Sequence, residues 1–160
     1  MSSIVAQIEK IGVVGSGTMG NGIAQVAATA GFQVLLFDIS KEQLDRAIQT
    51  ISKSLSKLSE KGKLKESPDS VLKRLSPSTQ LSDLGSCQFV IEAATENREI
   101  KFKLFSDLDR ILAPGVVIAT NTSSILKSLK VLIAVYAAIP MTTKAAAAAT
   151  MPIIICWEFI

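Results

Sequence analysis

The sequence of 160 residues predicts a doubly wound α/β protein, with a mostly parallel sheet covered by helices on both faces. Three observations predict it. Short apolar runs recur along the first 120 residues, helical stretches with one apolar face separate them, and a glycine-rich turn joins the first run to the first helix.

The elements follow in order. Lys10-Ile11-Gly12-Val13-Val14 reads as a short buried strand, and Gly15-Ser16-Gly17-Thr18-Met19-Gly20 follows at once. Residues 21–30 read as a helix that is small and apolar on one side and stopped by Gly31. Residues 33–37 form a second apolar strand that ends at Asp38, which completes one βαβ unit. Residues 41–61 read as a long helix. Leu44, Ile48, Ile51, Leu55 and Leu58 recur at spacings of three and four and form its inner face, while Lys53, Lys57 and Lys61 make a second row. Gly62 ends or bends this helix. Ser67-Pro68 starts a short one, with the serine as N-cap and the proline at the first helical position. Residues 75–79 and 89–92 read as strands, the second more clearly. The spacing predicts a helix over 99–112, with Ile100, Leu104, Phe105, Leu108, Ile111 and Leu112 facing inward, broken by Pro114-Gly115. Residues 116–120 are the next strand, and Asn121-Thr122-Ser123-Ser124 lies at its carboxyl end. Ligands of such sheets bind outside the carboxyl ends of the strands, so the informative polar residues collect at one edge.

Composition narrows the chemistry. The net charge of +3 is far from the dense positive stripe of a nucleic-acid binder, and 48% apolar against 19% charged residues allows a packed core. There is no histidine, which excludes Ser-His-Asp, Cys-His and His-zinc chemistry. Cys87 and Cys156 form no C-x-x-C, so no metal or disulfide framework is expected, and a reducing compartment is the default. The first nine residues lack the pattern of a signal or transit peptide, and no other targeting signal is seen. Between residues 131 and 160 only Lys144 and Glu158 are charged. The uncharged runs there are 13 residues each and contain Pro140 and Pro152, too short and too broken for a spanning helix. The expected organisation is one domain over residues 1–124 and an apolar tail over 125–160.

The glycine turn carries the functional signal. It follows a strand, precedes a helix, and has an acid 23 residues past Gly15 at the end of the next strand. Gly15 would allow the tight turn, Gly17 the close approach of a pyrophosphate, and Gly20 the packing of helix on sheet. The helix N-terminus offers free N–H groups and a partial positive charge to phosphates. Asp38 would accept hydrogen bonds from the adenine ribose and disfavour a 2′-phosphate, which selects NAD over NADP.

Four stretches resemble the NAD-binding Rossmann domain of the 3-hydroxyacyl-CoA dehydrogenases, the 3-hydroxybutyryl-CoA dehydrogenases especially. They are residues 11–25, the Leu58-Ser59-Glu60-Lys61-Gly62-Lys63 stretch, Val90-Ile91-Glu92-Ala93-Ala94-Thr95-Glu96, and Asn121-Thr122-Ser123-Ser124. They stand in the family's order and spacing between residues 8 and 125. The resemblance implies an oxidoreductase of fatty acid metabolism that oxidises a 3-hydroxyacyl-CoA to the 3-oxoacyl-CoA with NAD. It implies that Gly15, Gly17, Thr18, Met19, Gly20 and Asp38 hold the cofactor, with Glu96, Lys101 and Asn121 at the nicotinamide end. Ser123 would position the substrate oxygen, and Ser54 and Lys61 would contact its CoA. The sequence departs from the family beyond Ile125. The family's catalytic histidine has no counterpart, Lys144 standing at about that distance, and its C-terminal helical domain is expected to be absent. The expectation is therefore a truncated or diverged dehydrogenase that binds NAD. The alternative is a non-catalytic Rossmann subunit docked into a larger assembly through residues 131–160.

Overall fold

The computed structural model describes residues 8–120 together with the backbone of Ile154–Cys156. The strands β1 (Lys10–Val14), β2 (Gln33–Phe37), β3 (Leu75–Ser78), β4 (Phe89–Glu92), β5 (Val117–Thr120) and β6 (Ile154–Cys156) form one sheet in the order β3-β2-β1-β4-β5-β6. Every pairing is parallel. The helices are α1 (Thr18–Thr29), α2 (Lys41–Glu60), α3 (Pro68–Leu72) and α4 (Arg98–Ile111), and a 3-10 turn spans Leu81–Ser86. The strand order reverses between β1 and β4, where a crevice opens at the carboxyl edge. β6 falls in the segment expected as tail, and its backbone extends the sheet beside β5.

Alternation along each strand sends side chains to two separate cores. Ile11, Val13, Val34 and Leu36 face one side and pack with α1, α2 and α3. Val14, Leu35, Phe37, Val90 and Ile118 face the other side and pack with the 3-10 turn and α4. α2 presents Leu44, Ala47, Ile51 and Leu55 to the first core, and Ser40 caps its start by accepting from the Gln43 N–H at 3.3 Å. Each fully buried side chain such as Ile51 or Leu55 contributes about 1.5–3 kcal/mol. α1 approaches closely because its buried face is Gly20, Ala24, Ala27 and Ala28.

Three elements differ from expectation. α1 begins at Thr18 rather than at residue 21, because the turn passes directly into the helix with Gly17 as N-cap. The Leu81–Ser86 turn had no periodic signal, and its Leu84 packs where Gly12 leaves room: a Cβ on Gly12 would stand 2.5 Å from Leu84. In α4 the residue expected inside, Ile100, is 58% exposed, whereas Lys101 is 3% exposed. Lys101, Leu104, Leu108 and Leu112 recur at i, i+3, i+7 and i+11, so Lys101 stands on the line of the buried stripe and Ile100 at its margin.

Candidate functional site

The chain leaves β1 at Gly15, whose φ of +97° lies in the left-handed region that favours glycine. A Cβ there would come within 2.6 Å of the Ala94 backbone, so the loop after β4 lies directly against the turn. Gly20 is excluded from carrying a side chain by contact alone, since its Cβ would stand 1.7 Å from the Gly15 carbonyl oxygen. Gly17 is different. Its φ of −64° suits any residue, and a Cβ on it would meet nothing within 4 Å. Neither backbone nor neighbours demand glycine there; the space in front of it is open.

That space lies at the N-terminus of α1. The first intrahelical bond is Asn21 N–H to the Gly17 carbonyl at 2.9 Å, so the N–H groups of Thr18, Met19 and Gly20 precede the helical ladder. No acid occupies the first turn and no side chain caps it. An anionic group facing these amides gains hydrogen bonds and the favourable end of the helix dipole.

Asp38 follows β2 and faces this turn. Its Oδ2 accepts from the Ser16 N–H at 2.9 Å and from the Ser16 hydroxyl at 2.7 Å, and its Oδ1 accepts from the Ser40 N–H at 3.0 Å. These bonds fix the carboxylate at the turn and leave it part of its acceptor capacity, roughly one of four lone-pair sites. Ser16, 3% exposed, is a member of the site that the glycine pattern did not single out, because that position in the motif admits any residue.

A second polar group lies across the crevice. Glu92 ends β4 and is completely buried. Its Oε2 meets the Lys101 ammonium at 2.8 Å and accepts from the Thr120 hydroxyl at 2.7 Å. Its Oε1 accepts from the N–H groups of Ala94 at 2.9 Å and Thr95 at 3.4 Å. One carboxylate thus ties together the end of β4, its loop, the start of α4 and the end of β5. The signal for it is an acid closing an apolar strand and a lysine in phase with a helix core; each demands a buried partner.

The remaining expected site residues are placed as follows. Glu96 is exposed in the loop before α4. Lys101 is turned inward onto Glu92. Ser54 is half-buried on α2, and Lys61 is exposed at its C-cap. Asn121 and Ser123, and likewise Lys144 and Glu158, lie outside the described residues. A groove of about 430 Å³ lined by Ile48, Lys53, Leu72, Leu75 and Pro77 shares none of the expected site residues. The Cys87 thiol is buried, and burial pushes its pKa up, against reactivity. Among the described residues no helix is long and apolar enough to cross a membrane, and no cluster of His, Cys, Asp or Glu could hold a metal.

The parallel sheet with its order reversal, the open helix N-terminus and the carboxylate fixed at the turn define a dinucleotide-binding domain of the Rossmann type. The comparisons with known proteins give the family. The model of the 3-hydroxyacyl-CoA dehydrogenase NAD binding domain matches residues 10–135, past the boundary that the motifs suggest. A probable 3-hydroxybutyryl-CoA dehydrogenase of Deinococcus radiodurans is 51% identical over 116 residues, which cover 72% of this chain and 42% of the relative. The crystal structure of 3-hydroxybutyryl-CoA dehydrogenase from Escherichia coli is similar at a TM-score of 0.71 and 47% identity, over 73% of this chain and 25% of that one. That of (S)-3-hydroxybutyryl-CoA dehydrogenase from Ralstonia eutropha gives 0.70 and 39%, over 89% of this chain and 46% of that one. The chain belongs to the family of 3-hydroxyacyl-CoA dehydrogenase NAD-binding domains, and its cofactor is NAD. It spans less than half the length of these relatives.

Proposed function

We propose that this chain holds NAD for the oxidation of a 3-hydroxyacyl-CoA to the 3-oxoacyl-CoA. The observation that carries the reading is the Ser16–Asp38 bond beside an open helix N-terminus, which sets free amides and a carboxylate acceptor side by side. The amides of Thr18, Met19 and Gly20 would face the diphosphate in front of Gly17, and Asp38 the adenine ribose. NAD, when bound, supplies the hydride acceptor. Glu96, Lys101 and Asn121 are assigned to the nicotinamide end, Ser123 to the substrate oxygen, and Ser54 and Lys61 to its CoA. The proton of the substrate hydroxyl needs an acceptor near neutral pKa. These 160 residues hold no histidine, so they supply no imidazole for that proton. On this reading these 160 residues hold the cofactor and do not turn over unaided.

Thermal unfolding with NAD tests the first half. Ligand at 100 times Kd stabilises by about 2.7 kcal/mol, and the absence of any shift contradicts binding. Incubation with a four-carbon 3-hydroxyacyl-CoA and NAD tests the second; steady NADH formation at a rate normal for such enzymes overturns it. A second reading, a non-catalytic subunit of a larger complex, is favoured by the near absence of charge over residues 131–160. Size exclusion of the whole chain decides it, a well-behaved monomer speaking against docking.

A further inference from the structure

The ion pair at the end of β4 does more than close the core. In register, Val14 of β1 pairs with Glu92 of β4, and Glu92 with Thr120 of β5, so the pair lies at the carboxyl edge on the β4–β5 side of the strand-order reversal. A dinucleotide bridging that crevice has one mononucleotide at each side. The glycine turn and Asp38 serve the adenosine half, which leaves the β4–β5 edge to the nicotinamide half. The loop over Glu92 is also pinned to the turn: the Ala93 N–H donates to the Val14 carbonyl at 2.8 Å.

The two redox states of the cofactor differ by one charge at this place. The oxidised nicotinamide ring is cationic and the reduced ring is neutral. A lone ammonium under it would oppose the oxidised form, and a lone carboxylate would favour it. We propose that Glu92 is a positioning residue that holds Lys101 and cancels its charge, so that the nicotinamide subsite binds oxidised and reduced cofactor without bias. This inference rests on the NAD reading above. Thr120 and the Ala94 and Thr95 amides complete the set of donors around the carboxylate, which keeps it fixed while the cofactor changes state.

Titration calorimetry of the whole chain with NAD⁺, NADH and ADP-ribose tests it. ADP-ribose lacks the nicotinamide and reports on the adenosine half alone. Glu92→Gln is expected to weaken NAD⁺ relative to NADH by about fivefold or more, the scale of one uncompensated nearby charge. Lys101→Met is expected to move the ratio in the opposite direction. The charge-neutral double variant returns the ratio to the wild-type value, and ADP-ribose affinity holds throughout. Shifts of the same sign in both single variants, no shift in either, or a parallel loss of ADP-ribose binding would show a merely structural pair and overturn the inference. Should Glu92→Gln fail to fold, Lys101→Met must still move the ratio toward NAD⁺ and the double variant must restore it. A wild-type chain that binds none of the three ligands overturns the NAD reading itself. One that binds all three with an insensitive ratio overturns only the role of Glu92.

Discussion

The two sides of the crevice solve different problems with different materials. The β1–α1–β2 side is built from backbone amides, three glycines and a half-exposed carboxylate, and it is open at Gly17. The β4–α4–β5 side is sealed: a carboxylate and an ammonium with almost no exposure, satisfied by one another, a hydroxyl and two amides. The open side can change its ligand contacts at little structural cost. The sealed side cannot, because any unpaired member is left as a buried charge. Binding and stability should therefore separate across the crevice.

The largest expected effect comes from the sealed side. Glu92→Ala should destabilise the fold by about 3–5 kcal/mol, because it strands the Lys101 ammonium in the interior. Urea unfolding checks this, and a loss below about 1 kcal/mol would mean that Lys101 escapes to solvent. Next comes Gly20→Ala, where the new methyl collides with the Gly15 carbonyl. A cost of about 1–3 kcal/mol is expected together with loss of NAD binding, since α1 and the turn must move apart. An unchanged melting temperature would contradict the close approach.

Gly17→Ala sharpens the contrast. The methyl enters empty space, so stability should change by less than about 1 kcal/mol. NAD affinity should nevertheless fall by about tenfold, because the diphosphate needs that space. Equal losses in both measurements would return Gly17 to an ordinary turn residue.

The smallest effect is the acid dependence of the surface around each side. Hydrogen bonds from Arg74 hold the Glu66 carboxyl below its ordinary pKa, and Arg74 also donates to the Ala28 carbonyl at the end of α1. On α4, the hydrogen bond from Lys103 lowers Asp107 in the same way. For a lowered carboxyl, the unfolded chain takes up its proton first as pH falls. The contribution is complete above the unfolded pKa and disappears as pH falls through the folded one. Arg74→Met should flatten the stability profile below about pH 5 without altering ADP-ribose affinity. A profile as steep as wild type would remove Glu66 from the acid response.

The open side was legible because its chemistry is local. The glycine spacing and an acid at the end of the next strand sit within 24 residues, directly after a strand, and Asp38 faces the turn as that pattern requires. The inner face of α2 was legible for a similar reason, its apolar residues repeating through about four turns. Ile100 misled because the stripe on α4 is broad, and its edge cannot be told from its middle by apolarity alone. Ser16 was silent because a serine in a turn has many ordinary uses.

Sequence alone determined the alternation of strands and helices, the place of the glycine turn before the first helix and the carboxylate that closes the next strand. Backbone conformation and hydrophobic period act over a few residues, so their causes are written contiguously in the chain. Only the tertiary structure decided that Glu92, Lys101 and Thr120 share one bond network, and that Asp38 is held by Ser16. Those residues come from separate elements. A buried charge chooses its partner by where the sheet register and helix packing bring the atoms, which no spacing along the chain records.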